Sequence, residues 1–402
     1  MEGNSKKKPV AIDLFSGVGG MTLGFEMAGF DVRLAVEHDD IAAEAHRLNF
    51  PHCDVMENDI KEISGNDILN RLGLNVGDVD VIIGGPPCQG FSNAGQRAID
   101  DPRNELLLEY ARIVLQVQPK YFVMENVRGL MSFNNGDTLR SFIEELQVEY
   151  QITEPLRVLK ASKFGVPQNR KRLFVLGVRR DLNQMLPYPE ESHIDPDDLR
   201  FEYNHQSESH SSIEKKDGKE YCPTVADAIS DLPNVDEFEE LIAGDTLPIS
   251  NYSNMCSKFA LIMRREITDS TDFSTVRPTW DHNIITNLKR TMHDERIVKE
   301  FASLLEGQNH RSRRKKLLSR GLSPTIRAGT KSDKGSYTAL RPIHYKFPRV
   351  ITVREAARLM SFPDWMIFHE TKWHGFRLVG NAVPPLLAKA VANEIIELLK
   401  RG

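Results

Sequence analysis

Between residue 9 and about 180, short runs of continuous apolarity alternate with segments whose apolar positions recur at helical spacing. The runs VAIDLF, VRLAVE, VDVIIGG, YFVMEN and RLFVLGV are rich in β-formers and mostly lack the polar alternation of a half-exposed strand. Strands of this kind are covered on both faces, as in parallel sheets flanked by helices. Between them MTLGFEMAG, DIAAEAHRLNF, NELLLEYARIVLQVQ and GDTLRSFIEELQ read as helices. The alternation predicts a doubly wound α/β sheet.

The pattern breaks near 185. Residues 186–222 hold ten acidic, four basic and three histidine residues with few apolar ones, and 223–320 show weak periodicity. A basic run, HRSRRKKLLSR, closes this stretch at 310–320. The helix PPLLAKAVANEIIELLKRG then resembles the first region more than the middle. The division expected is one α/β domain (9–185), a smaller inserted domain (186–320), and a return to the first domain (321–402).

Composition changes little in this picture. Apolar residues make up 40% and charged residues 27%, the balance of a soluble globular chain. No apolar run approaches the ~20 residues of a membrane helix, and MEGNSKKKPVAIDLF enters a strand without a signal-peptide core. Cysteines 53, 88, 222 and 256 form no C-x-x-C pair. Neither a disulfide framework nor a metal site is expected, and the cytoplasm is the expected location. A net charge of −5 excludes a polycation, so any nucleic-acid contact must come from local basic patches.

Four motifs carry candidate chemistry. In AIDLFSGVGGMTLGF a strand enters a glycine turn, Phe15 to Gly20, and then a helix. Gly17 and Gly19 let the backbone turn tightly and approach a ligand. Glu37 ends the next strand, where an acid can accept both hydroxyls of a ribose. A dinucleotide fingerprint would need glycine at Thr22, so an adenosine without a pyrophosphate fits better, as in S-adenosylmethionine. Asp59 is the candidate for the adenine amino group. In GGPPCQGFS, Cys88 follows two prolines at the exposed end of a strand, where open α/β sheets place their chemistry. The polar segment SNAGQRAIDDPRN after it is expected to act as a lid. In YFVMENV, Glu125 and Asn126 stand at the same edge, where a carboxyl with a raised pKa can donate a proton. In QNRKRLF, Gln168, Arg170 and Arg172 share one face, and guanidiniums there can grip a carbonyl oxygen and a phosphate. Each motif alone has an ordinary structural reading: a tight turn, a buried thiol, a polar strand end, a solvated strand entry.

Taken in order, DLFSGVGG, GGPPCQGFS, MENV, QNRKRLF, RVITVREAARLMSFPD and GNAVPP resemble the DNA (cytosine-5)-methyltransferases of restriction-modification systems. The resemblance covers about 9–185 and 322–398. It implies a Rossmann-like methyltransferase sheet, S-adenosylmethionine as methyl donor without a metal, and double-stranded DNA as substrate. It also implies Cys88 as nucleophile, Glu125 as the acid on the base, and Arg170 and Arg172 as base and phosphate clamps. Phe15, Gly17, Gly19, Glu37, Asp59 and Asn381 would line the cofactor pocket. Residues 186–320 take the place of the target-recognition domain, with Arg311, Arg313, Arg314, Lys315 and Lys316 expected mostly against phosphate. A separate restriction endonuclease is a possible partner. The rival readings are the same chemistry on RNA, a catalytically silent DNA-binding protein, and a nicotinamide dehydrogenase. Intact Cys88 and Glu125 disfavour the second, and Thr22 disfavours the third.

Overall fold

β1 (Val10–Leu14) is buried along its whole length. Its side chains leave alternately to two cores, Ala11 to one and Ile12 and Leu14 to the other. The computed structural model describes residues 8–87, 105–196, 198, 218–254, 256–267, 269–329 and 340–401, with backbone alone at 215–216. Cys88 and the expected lid lie outside the described residues.

The same two-sided rule holds along β2 (Asp31–Glu37), β3 (Asp54–Glu57), β4 (Val81–Gly84) and β5 (Tyr121–Val127). Ile83 and Val123, for example, face the first core, while Ile82, Phe122 and Met124 face the second. The first core is covered by α1 (Gly20–Ala28) and α2 (Asp40–Asn49). The second is covered by α3 (Gly65–Leu72), α4 (Glu105–Val117) and α5 (Asp137–Leu146). Beyond β5 come β6 (Tyr150–Ile152), β7 (Arg157–Lys160), the two-residue β8 (Gln168–Asn169) and β9 (Lys171–Arg179). The main sheet has the order β3-β2-β1-β4-β5-β9-β6, with β7 also paired to β9.

β1 to β5 are parallel to one another, and β9 runs antiparallel to β5. The winding reverses between β1 and β4, which opens a crevice at their carboxyl ends. The doubly wound expectation holds. The antiparallel β9 is a finding the apolar pattern could not supply, because a strand buried on both faces reads the same in either direction.

Three short helices, α6 (Val225–Ile229), α7 (Lys258–Met263) and α8 (Glu295–Ser303), lie in the middle of the chain. α9 (Val353–Leu359), α10 (Lys372–Asn381) and α11 (Pro385–Arg401) then return to the sheet. α11 packs on α1 at a separation that only glycine allows. A Cβ on Gly24 would sit 2.4 Å from Ala388 Cβ, and one on Gly20 would sit 2.2 Å from Val383 O. No helix among the described residues is long and apolar enough to cross a membrane.

Described residues of the 186–320 segment, expected as a unit of their own, contribute to the first core. Val225, Ile229, Leu232, Met263 and Leu288 pack in one cluster with Ile351, Leu359, Trp365 and Ile395. Buried charge seals the junction. Arg358 donates to both Asp364 oxygens at 2.5 and 2.6 Å and to Asp231 at 3.3 Å. Arg264 donates to Asp231 at 2.8 Å. Arg354 reaches Thr286 Oγ1 and Met366 O, each at 2.7 Å. Arg349 grips Glu355 at 2.7 and 2.9 Å. Burial would raise the Glu355 carboxyl, but Arg349 pulls it down to about 2.

This network yields a stability prediction. Removing one partner of a buried ion cluster leaves the others uncompensated, at about 3–5 kcal/mol. Asp231→Ala removes the nearest carboxylate of Arg264 and one of the two on Arg358, and should lower unfolding free energy by that order in urea melts. A loss under about 1 kcal/mol would show that Asp364 suffices for Arg358, and Glu266 with solvent for Arg264.

Candidate active site

The crevice is lined on one side by the turn after β1. Phe15, Gly17 and Gly19 all have positive φ, at 59°, 55° and 89°. The two glycines adopt this region without penalty, whereas Phe15 is held there against steric preference. Glu37, at the end of β2, fixes the turn. Its Oε2 accepts from Gly17 N and its Oε1 from Asp39 N, both at 2.8 Å. Burial pushes the Glu37 carboxyl up against these two bonds. Asp39 caps α2 by accepting from Ala42 N, and Arg377 of α10 donates to it at 2.8 Å.

His46 supports the same turn from beneath, with Nδ1 3.2 Å from Gly17 O. Burial lowers its pKa to about 4, so the ring is neutral and must carry its proton on Nδ1 to donate there. Asp59 follows β3, whose Glu57 pairs with Glu37. It is half-buried and accepts from Lys61 N at 3.0 Å. Asn381 is exposed at the end of α10, two residues before the Val383 carbonyl that abuts Gly20.

These residues fit an adenosine-bearing ligand. Among the described residues Ser16 Oγ is buried without a hydrogen-bond partner, and no atom of theirs lies within 4 Å of where a Gly17 Cβ would stand. A ligand edge can enter where a side chain would otherwise be, with an acceptor carboxylate beside it.

The other side of the crevice is built from β4, β5 and β9. Glu125 is 8% exposed and pairs with Arg172, Nε to Oε1 at 2.7 Å. Burial raises the Glu125 carboxyl, against the pull of Arg172 and Arg170. Its Oε2 lies over Gly85, 3.2 Å from where a Cβ would be. Asn126 Nδ2 donates to Pro86 O at 3.2 Å. The exit of β4, immediately before Cys88 in the chain, is thereby pinned to the exit of β5.

Two expected phosphate or base contacts are corrected. Arg170 is 0% exposed and donates to the carbonyls of Ile326, Gly380 and Ala382 at 3.1, 3.0 and 2.8 Å. It does not share the outward-facing role expected with Arg172, and Gln168 is likewise buried, donating to Leu359 O. Lys316 is also buried, with Nζ donating to Phe301 O and Leu304 O at the end of α8. Arg311, Arg313 and Lys315 are exposed, and Arg311 pairs with Glu300 at 2.7 Å. Sequence reasoning missed Arg377, His46 and the Asp13–Thr22 bond. Only Arg377 left a signal, one helical turn before Asn381.

Asp13 lies under the glycine turn, 1% exposed, accepting from Thr22 Oγ1 at 2.7 Å. Burial, opposed by that bond, pushes its pKa from 3.8 to about 7. The unfolded chain loses this proton near 3.8 while the folded one keeps it to about 7, so stability is lost as pH rises through that window. Asp13→Asn cannot ionise. Its melting temperature relative to wild type should rise between pH 4 and pH 8, by the equivalent of a few kcal/mol at most, roughly. A difference that ignores pH would refute a neutral Asp13.

Comparison with known proteins agrees with this arrangement. A family profile described as C-5 cytosine-specific DNA methylase matches residues 10–397. The type II methyltransferase M.XorII of Xanthomonas oryzae pv. oryzae is 42% identical over 396 residues, covering 98% of this chain and 86% of that protein. M1.HphI of Haemophilus parahaemolyticus is 34% identical over 395 residues, covering 96% and 86%. A solved prophage-encoded protein of E. coli, described as a DNA modification methyltransferase, superposes with a TM-score of 0.75 at 32% identity, covering 98% of this chain and 100% of that one. With the profile spanning nearly the whole sequence, the chain belongs to the C-5 cytosine-specific DNA methylases and is an enzyme that methylates carbon 5 of cytosine in DNA.

Proposed function

We propose that this enzyme methylates a cytosine within a specific duplex sequence, with Cys88 as nucleophile, Glu125 as the acid at the base and S-adenosylmethionine as methyl donor. One observation carries the reading. The raised carboxyl of Glu125 lies over Gly85, while Asn126 holds Pro86, so the acid and the segment leading to Cys88 are registered to each other. When bound beside Gly17 and Glu37, S-adenosylmethionine supplies an electrophilic sulfonium methyl group.

Carbon 5 of cytosine is a poor nucleophile. Addition of the Cys88 thiolate to C6 pushes electron density onto C5, which can then accept the methyl group. Glu125 protonates or hydrogen-bonds N3 as charge develops there, and burial shifts its carboxyl toward the protonated form. Arg172 orients Glu125 and offers its remaining N–H groups to the base carbonyl. A base then takes the C5 proton, the C5=C6 double bond re-forms, and Cys88 leaves C6 as the thiolate. The base must leave the duplex for this, at roughly a few kcal/mol.

Residues 186–320 are the proposed reader of the surrounding sequence. They share a core with the catalytic part, so reader and chemistry move as one body. The relatives' description as type II methyltransferases supports a place beside a restriction endonuclease that acts separately, in the cytoplasm.

A duplex carrying 5-fluorocytosine at the target should trap wild-type enzyme covalently, because fluorine cannot leave as a proton does. Cys88→Ser should neither trap nor transfer, yet should still bind S-adenosylhomocysteine in calorimetry. Trapping that survives in Cys88→Ser sinks the assignment. Glu125→Gln should lower kcat by about 10²-fold or more.

The corrected basic run gives a second test. Arg313→Ala with Lys315→Ala should weaken binding to all duplexes alike and reduce the salt slope by roughly two units. Bisulfite sequencing should find the methylated sequence unaltered. A new methylated sequence would move base reading onto these two residues.

A further inference from the structure

Arg170 is fully buried, and a buried guanidinium needs acceptors on several sides. Nη2 donates to Gly380 O and to Ala382 O, at 3.0 and 2.8 Å. These two carbonyls bracket Asn381. Nη2 therefore holds the peptide entering Asn381 and the one leaving Ala382, and pins the backbone on both sides of that residue. Nη1 donates to Ile326 O at 3.1 Å, on the chain returning from the 186–320 segment.

The clamp sits where the backbone would otherwise lack partners. Gly380 is in the last turn of α10, where carbonyls have no intrahelical donor, and a cation there also faces the negative end of the helix. The held loop is wedged from both sides. A Cβ on Gly380 would sit 2.3 Å from Ala328 N, and Val383 O stands 2.2 Å from where a Gly20 Cβ would be. Gly20 opens α1 directly after the cofactor turn. Asn381 thus has its backbone set by Arg170 and faces solvent beside the glycine turn.

We propose that Arg170 is a positioning residue for the methyl donor: it sets Asn381, and through Asn381 the grip on S-adenosylmethionine, rather than holding DNA. The proposal rests on the reading of Asn381 as a cofactor ligand. Lysine cannot replace Arg170, because one compact ammonium on a shorter reach does not serve the Ile326 carbonyl that Nη1 holds together with the two that Nη2 holds. Loss of a charged donor to buried carbonyls is worth about tenfold or more in an equilibrium.

The test compares the full-length wild type, Arg170→Lys, Gly380→Ala and Asn381→Ala. Gly380→Ala keeps the guanidinium but drives the loop against residues 327–328, and it carries the test if Arg170→Lys does not fold. KM for S-adenosylmethionine should rise about tenfold in all three, with a much smaller change in kcat at saturating cofactor. Affinity for the target duplex, measured with S-adenosylhomocysteine present, should change less than about threefold. Arg170→Lys combined with Asn381→Ala should be little worse than Asn381→Ala alone, since both act on one contact. A merely structural role would instead lower the melting temperature and depress kcat and both affinities together. Duplex affinity falling as far as cofactor affinity would restore a phosphate clamp and overturn the proposal. An unchanged cofactor KM in Arg170→Lys and Gly380→Ala, beside a raised one in Asn381→Ala, overturns the proposal alone. An unchanged KM in Asn381→Ala overturns the ligand reading and the proposal with it, while 5-fluorocytosine trapping by Cys88 reports separately on the chemistry.

Discussion

β9 runs against β5, and this reversal brings its first residues to the carboxyl edge of a sheet whose β1 to β5 all end there. A parallel strand in this place would deliver its start to the opposite edge, and the two arginines with it. In the observed register Arg172 pairs with Val127, two residues beyond Glu125, so the guanidinium can reach back to that carboxylate. The short β8 just before it pairs with residues 323–324, which fixes the point where the chain returns from its middle segment. The base side of the site and the re-entry of the C-terminal part are thus both anchored on one strand start.

Carboxyl groups in this protein fall into two electrostatic kinds, and the division tracks position. Glu355 and Asp364 are buried, but each faces a guanidinium with matched donors, and both are lowered. Asp13, Glu37 and Glu125 are buried at the crevice and are raised, because burial outweighs the hydrogen bonds and charges they receive. Fully paired carboxylates are fixed in charge and serve only to join segments. Under-compensated ones hold a proton more readily than a free carboxyl, which favours proton transfer to a base. Glu125 is the informative case, since its arginine partner restrains the rise without reversing it.

The strands of the first half were legible because a parallel sheet with helices on both sides imposes continuous apolarity, and the glycine turn was legible because positive φ selects glycine. The place of Glu37 at the end of the second strand was legible, but its bond to Gly17 N was not. Arg170 was not legible in its role. Its acceptors lie 156 and 210 or more residues away, and nothing in QNRKRLF distinguishes an arginine that faces inward from one that faces a ligand. Lys316 failed for the same reason, since a run of charges does not disclose that one member caps the carbonyls of α8. The middle segment looked separate because its helices are short and polar residues make part of its contact with α9. Asp231 and Thr286 read as surface residues until Arg358 and Arg354 are placed on them.

The same buried arginines bear on how a chain of net charge −5 engages a polyanion. Arg170, Arg349, Arg354 and Arg358 count as positive in the sum but are fully enclosed, compensated by carboxylates or carbonyls, and contribute little field at the surface. Attraction for DNA must therefore come from exposed cations. Where those cations stand sets orientation more than affinity, because a molecule without excess positive charge is held weakly in most poses. Orientation is also what the chemistry needs. Arg170 and Arg172 lie two residues apart, one engaged with the loop of Asn381 and the other with Glu125, so a displacement of the start of β9 would shift cofactor lip and base pocket together and preserve their spacing.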